Sequence, residues 1–241
     1  MSIRGSIGKR IVKAIGTRTV NDYLEDLMSS GEVQVALDVG CGITSLLTKF
    51  RPRVKTVGLD AYTVDAASDI GAHDAYISAD LADLVVENIQ QKLFQHFGRL
   101  EVDLVTMFGL IEHLPKSLGY AILEKAERLT SKYVLADTPN GFVPQGPEFG
   151  NPYQRHLSGW YPKDFEGLGY VVRGSCGTRY LRGYMGEPRI KLPGVQLLDS
   201  VVLSRVLMTE RFPGHAFNIC AIKDVRGVRA RYKSYDDPAR Y

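Results

Sequence analysis

Two glycines one residue apart, Gly40 and Gly42 with Cys41 between them, follow the apolar run "VALDV" and precede a stretch able to start a helix. Glycines at such a turn let a ligand approach the backbone, and the first N–H groups of a following helix are left to meet it. Three acids accompany the turn: Asp38, Asp60 and Asp80, each closing an apolar run. The two oxygens of one carboxylate can accept both hydroxyl hydrogens of a ribose, and another carboxylate can accept from an exocyclic adenine amine. The spacing therefore suggests an adenosine-bearing ligand whose non-phosphate part lies at the turn. A dinucleotide fingerprint would need a third glycine where Ser45 stands, and a P-loop would need Gly-Lys-Ser/Thr; neither is present. Taken singly, Asp38 or Asp80 also reads as a cap or turn former after a strand.

For proton chemistry near neutrality the chain offers five histidines. His113 follows the fourth apolar run and His156 lies beyond the fifth, whereas His73 and His96 fall in segments that read as surface and His215 opens the last strand. His113 reads equally as a locally bonded histidine at a helix start, beside a Glu112 that reads as a solvated first-turn charge. Around His156, "NPYQRHLSGW" supplies Asn151, Tyr153, Gln154, Arg155 and Trp160, suited to a polar acceptor with an apolar face. The alternative for His156 is a loop anchored by its own hydrogen bonds. Trp160 reads better as core packing beneath that loop.

These residues need a frame. The runs "VQVALDV", "VKTVGLD", "DAYISAD", "VDLVTMF" and "YVLAD" read as buried strands separated by helical stretches, the pattern of a parallel sheet covered on both faces. Val85, Val86, Ile89, Leu93 and Phe97 give one crossover helix its apolar face. Residues 20–30 form a second helix closed by Gly31. From Thr138 to Pro152, four prolines and three glycines in fifteen residues predict a long loop. A short helix over 162–168, a strand "YVVRGSCG", an insertion with a helix in "VQLLDSVVLSRVL", and a final strand "AFNICAIKD" complete the chain.

With these motifs in order, "LDVGCG", "VGLD", "ISADL", "DLVTMFGLIEHLPK" and "YVLADTPNGF", the chain resembles the class I S-adenosylmethionine-dependent methyltransferases from about residue 33 to 142. Residues 151–174 are similar to the stretch after the fifth strand in small-molecule and saccharide-modifying members. The resemblance implies an α/β, Rossmann-like fold: a doubly wound, mostly parallel seven-stranded sheet with helices on both faces and the last strand antiparallel. It further implies S-adenosylmethionine as cofactor, with Gly40, Cys41 and Gly42 against the methionyl part. Asp38 would orient the turn and reach the cofactor's amino group, Asp60 with Ala61 would hold the ribose, Asp80 with Leu81 the adenine, and Phe108 with Gly109 would pass under the sulfonium. His156, with His113 as second candidate, would be the base, and Asn140, Asn151, Tyr153, Arg155 and Trp160 would meet the acceptor. Thr44 stands where many members carry a third glycine. In ubiquinone-pathway O-methyltransferases an acid precedes the Glu-His pair and helps hold a divalent metal; that place is Gly109 here, so no metal is expected.

Charge and composition limit the alternatives. The 241 residues carry a net charge of only +3, and no basic stripe interleaved with aromatics argues for nucleic acid. The cations concentrate at the ends: Arg4, Lys9, Arg10, Lys13 and Arg18 precede any acid, and residues 223–241 hold six cations against three acids. Ile3, Ile7, Ile11 and Ile15 give the leading segment an apolar stripe, read as a helix on the core or as a peripheral membrane contact. The expected division is a helical segment 1–31, a methyltransferase domain 32–224 with an insertion at about 178–213, and a flexible basic tail 225–241. Cys41, Cys176 and Cys220 lack ligand spacing and read as buried thiols in a reducing, cytoplasmic setting. A non-catalytic methyltransferase-like binding module and a nicotinamide-dependent oxidoreductase remain competing readings. The acceptor, whether small molecule, saccharide or lipid-linked, and the oligomeric state are open.

Overall fold

The computed structural model describes residues 18–42, 45–61, 73–147, 151–183, 189–190 and 195–227. The predicted leading helix, Thr44, the crossover between the second and third strands and the tail beyond residue 227 lie outside them. The described helices include α1 (Val20–Ser29), α2 (Val86–Phe97), α3 (Lys116–Leu129) and α4 (Pro162–Glu166). The strands are β1 (Val35–Val39), β2 (Lys55–Asp60), β3 (Ala75–Ser78), β4 (Val102–Phe108), β5 (Thr130–Pro139), β6 (Val171–Thr178) and β7 (Ala216–Asp224). They form one seven-stranded sheet in the order β3-β2-β1-β4-β5-β7-β6, mostly parallel with the last strand antiparallel.

The described residues sort into two compact units, a sheet unit within 27–108, 117–136 and 222–227 and a loop unit within 18–26, 109–116 and 137–221. In the sheet unit β1 lies between β2 and β4, parallel to both, and every one of its side chains is buried. A strand covered on both faces has no solvent side to alternate toward, hence its uniform apolar composition broken only by Asp38. α2 turns Val86, Ile89 and Leu93 inward and ends on Gly98 at φ +69, whose N–H caps Phe94 O at 2.8 Å. Val85 precedes this helix and is 47% exposed, outside the apolar face expected for it. The starts of the two central strands β1 and β4 are tied by Asp103, which accepts from the Gln34 and Val35 N–H groups at 2.9 and 3.0 Å and pairs with Arg99 at 2.9 Å. A buried carboxylate survives there because its oxygens are matched by donors and a cation.

The loop unit is organised by aromatic packing. Trp160 is fully buried, 5.3 Å from Phe165, which in turn lies 5.9 Å from Tyr170. β5 runs on to Pro139, so the first two residues of the expected loop belong to the strand, and proline, lacking an N–H, ends the ladder there. Asn140 then clasps the run into β7: its Nδ2 donates to the carbonyls of Ala216 and Pro213, each at 2.9 Å. Gly174 on β6 is required by close approach, since a Cβ there would lie 2.1 Å from the Thr209 carbonyl oxygen.

Candidate functional site

In the sheet unit, β1 delivers Asp38 in register with Gly58 of β2 and Thr106 of β4. Its carboxyl is 2% exposed and accepts from Thr106 Oγ1 at 2.7 Å and from Ser45 Oγ. Burial pushes its pKa up to about 6, opposed by the two hydroxyl donors and reinforced by the charge of Asp60. The chain next turns through Gly40 at φ +71 and Gly42 at φ +53, values that strain any residue with a Cβ. Gly42 N–H donates to Asp60 Oδ2 at 2.8 Å, and Gly40 N–H to Leu59 O at 2.7 Å. Among the described residues, no heavy atom lies within 4 Å of a Cβ built on Gly42, which leaves its backbone approachable by a ligand.

Near this turn the expected burial of the Cys41 thiol is met, and the expected surface placement of His73 is not. Cys41 directs its side chain inward, 4% exposed, and burial followed by the Asp38 and Asp60 charges pushes its thiol up to about 12. It is a neutral thiol whose backbone alone is available to a ligand. His73 is not on the surface but 8% exposed, and burial holds its imidazole down at about 4. A Cβ on Gly58 would meet His73 Cδ2 at 2.7 Å and Cys41 Sγ at 2.9 Å, so glycine is needed there to seat both. After the turn the chain winds into a 3-10 helix, Leu46–Phe50, with Ser45 Oγ accepting from Leu47 N–H at 3.2 Å. With so short a helix, two carboxylates rather than a helix N-terminus dominate the local field.

Asp80 lies two residues beyond β3, exposed, and its Oδ1 accepts from Ala82 N–H at 2.9 Å, the turn-forming role that was its alternative. Leu81 is buried and Ala61 and Phe108 are half-buried. Gly109, at φ +56, donates its N–H to Asp137 O at 3.0 Å.

In the loop unit, the 3-10 turn Ile111–His113 presents a cluster that the sequence only half revealed. Glu112 is 4% exposed rather than solvated, and its Oε2 accepts from Thr138 Oγ1 at 2.8 Å. Its backbone oxygen accepts from Leu157 and Ser158 N–H at 2.8 and 3.0 Å, fixing the loop after His156. Burial pushes the Glu112 pKa up to about 8, with Asp137 adding to the rise, so the group is protonated at neutral pH. His156 Nδ1 faces Val143 O at 2.6 Å, and because a carbonyl only accepts, Nδ1 carries the proton and Nε2 keeps its lone pair. His113 Nδ1 lies 3.2 Å from Arg155 O, and the two imidazoles meet edge to face with centroids 4.7 Å apart. Burial, then the neighbouring His156, lower the His113 pKa.

Glu112, His113 and His156 each offer a donor atom, all within 4.8 Å of one another. Two imidazoles and a carboxylate are a set that first-row divalent metals accept. Gly109, the position that removed the expectation of a metal, supplies no ligand, and His156 from beyond the proline-rich loop joins the Glu-His pair instead.

The candidates for acceptor contact divide. Trp160 is spent internally: its Nε1 donates to Ser158 Oγ at 2.9 Å and Ile111 O at 3.1 Å, and Lys116 Nζ stands 3.8 Å from its ring centroid. Asn140 is 5% exposed and used as the β7 clasp. Asn151 caps a 3-10 turn by accepting from Tyr153 N–H at 2.9 Å, while Tyr153 and Arg155 are exposed. Sequence reasoning passed over Glu112 and also Asp137, a buried acid pushed up to about 7 by burial, to which Asn218 Nδ2 donates at 3.1 Å. An acid inside an apolar strand run, as in "YVLADTP", was the available signal.

No protein-family model and no curated protein matches the sequence. Solved structures are similar at low identity. The N-terminal domain of EvdMO1, crystallised in the presence of S-adenosylhomocysteine and D-fucose, is 14% identical with a TM-score of 0.50, covering 93% of this chain and 97% of that one. A SAM-dependent methyltransferase from Archaeoglobus fulgidus is 15% identical with a TM-score of 0.48, over 85% of this chain and 92% of that one. Magnesium protoporphyrin IX methyltransferase from Synechocystis PCC 6803, with bound SAM, is 13% identical with a TM-score of 0.43, over 85% of this chain and 77% of that one. At such identities the likeness is one of fold. Strand order, an antiparallel last strand and the likeness over nearly the whole chain give this protein the Rossmann-like fold of the class I S-adenosylmethionine-dependent methyltransferases.

Proposed function

We propose that the protein is an enzyme that binds S-adenosylmethionine at the Gly40–Gly42 turn and transfers its methyl group to a hydroxyl or amine of a small-molecule, saccharide or lipid-linked acceptor. The observation that carries this reading is the pair of carboxylates, Asp38 and Asp60, bracketing an open glycine backbone. That set attracts the ammonium group of a nucleoside amino acid and can accept from its ribose hydroxyls. It would repel the pyrophosphate of a nicotinamide dinucleotide. The oxygen of Asp60 that receives Gly42 N–H has a second lone pair for a ribose hydroxyl. Ala61 would border the ribose, Asp80 and Leu81 the adenine, and Phe108 and Gly109 the sulfonium.

Transfer from a sulfonium is an in-line displacement, so holding acceptor and methyl group at near-contact distance supplies much of the rate. His156, with a lone pair on Nε2, is the base that takes the acceptor proton as the new bond forms. His113 and Glu112 position it, and Asn151, Tyr153 and Arg155 are left to recognise the acceptor. The donor triplet favours a second reading of the same step: Glu112, His113 and His156 would hold a divalent cation, which would supply Lewis acidity toward the acceptor hydroxyl.

Incubation with methyl-labelled cofactor and a fractionated cell extract, with and without chelator, tests both. Label should appear in a product whose mass has risen by one methyl group, and His156→Ala should abolish it. Chelator sensitivity selects the metal reading. A protein that binds the cofactor yet labels nothing beyond the His156→Ala control would instead be a non-catalytic module.

A further inference from the structure

The chain from 195 to 206 is one continuous helix made of an α turn (Val195–Leu198), a π turn (Asp199–Leu203) and a final α turn (Ser204–Val206). Its underside is fastened by a buried acid. Asp199, 2% exposed, accepts from Thr178 N–H at 3.1 Å and lies 3.7 Å from Arg182 Nε, while Ser204 Oγ donates to Asp199 O at 2.6 Å. Gly177, at φ +82, leaves room for that carboxylate, since a Cβ would lie 2.6 Å from Asp199 Oδ2. With the acid side anchored, the helix turns Leu198, Val202 and Val206 outward at 48, 44 and 73% exposure. Residues four apart share a face in both α and π turns. Met208 and Phe212 continue the apolar surface at 44 and 52%.

The exposed charges of this segment are mostly basic. Among the described residues from 179 to 215, the exposed ionic side chains are Arg179, Arg189, Arg211 and Glu210, and Glu210 lies 3.9 Å from Arg18. Arg18 joins on to the segment carrying Arg4, Lys9, Arg10 and Lys13 with no acid. An aliphatic centre on a segment whose exposed charges are mostly arginines has the composition of a surface that sits at the headgroup level of a bilayer, with guanidinium groups on lipid phosphates. A second copy meeting this face on a twofold axis would set arginines against arginines. No described helix is long and apolar enough to cross a membrane.

We propose that the face formed by Leu198, Val202, Val206, Met208 and Phe212 docks on the surface of an anionic lipid bilayer. The test is sedimentation of the full chain with vesicles of phosphatidylcholine alone or mixed with phosphatidylglycerol. Binding is expected to the mixed vesicles, much weaker to the neutral ones, and to decline with added salt. The pair Val202→Glu and Val206→Glu should lower vesicle partitioning by about a hundredfold, with thermal stability and S-adenosylhomocysteine affinity retained because both side chains are exposed. Arg189→Ala and Arg211→Ala should each lower it about fivefold. Absence of vesicle binding, or equal binding by the valine pair and the parent, overturns the proposal. A dimer in sedimentation velocity that the valine pair dissociates assigns the face to a second copy and overturns it equally.

Discussion

Replacing Asp38 by asparagine should make the ligand-free protein relatively more stable as pH rises, while weakening its hold on the cofactor. The carboxyl titrates from an ordinary value of 3.8 and is raised to about 6 by burial and by Asp60. Between those values the folded state binds a proton that the unfolded state has released, so stability falls as pH rises through this window and the penalty is complete above it. A difference of roughly two units corresponds to about 3 kcal/mol. Asparagine has no proton to lose and keeps an acceptor for Thr106 or Ser45, at a pH-independent cost of about 1 kcal/mol for the imperfect match. In urea unfolding from about pH 4 to about pH 7, the stability of the variant relative to the parent should therefore climb by about 3 kcal/mol. At neutral pH its affinity for S-adenosylhomocysteine should drop about thirtyfold, the loss of a charged hydrogen bond to the ligand's ammonium. A stability difference that stays constant across the range would show that the carboxyl is not buried. Unchanged affinity would remove Asp38 from the amino-group contact.

Asp60→Ala removes both the partner of Gly42 N–H and the proposed ribose acceptor, and should raise the dissociation constant for S-adenosylhomocysteine by about ten- to a hundredfold in calorimetry. His156→Ala should lower turnover by at least about a hundredfold with cofactor affinity within about twofold, as read by initial rates and calorimetry on the same preparation; a parallel loss of both would end its assignment as base. Trp160→Ala should cost about 3–5 kcal/mol in chemical unfolding, since the ring is wholly buried; a stable variant with only a raised KM would return Trp160 to the acceptor site. Gly174→Ala must displace the Thr209 carbonyl from a 2.1 Å contact, and should lower stability by about 2–3 kcal/mol while sparing the cofactor turn.

The strands were legible because burial on both faces imposes apolar runs, and "VDLVTMF" and "AFNICAIKD" match β4 and β7 residue for residue. The glycine turn was legible because its positive φ values admit few other residues. What stayed hidden depended on partners distant in sequence. Glu112 looked like an ordinary first-turn charge, and only Thr138, Leu157 and Ser158 make it a buried acid. Asn140 carried a polar group suited to a ligand, but Ala216 took that hydrogen bond, whereas Trp160 packs in the core as its better reading had it. His73 lay in a polar stretch, and its burial is set by Gly58, which leaves space for the imidazole beside Cys41. Val85 fitted the helical period, yet the helix begins one residue later.

Calorimetric titration of the full chain with S-adenosylhomocysteine, and separately with NAD, tests the central claim most directly. Saturable binding of the thioether nucleoside with one site per chain, weakened about ten- to a hundredfold in Asp60→Ala and absent for NAD, is the expected result. No heat with S-adenosylhomocysteine, or tighter binding of NAD, would contradict the assignment of the Asp38–Gly42–Asp60 turn and with it the methyltransferase reading.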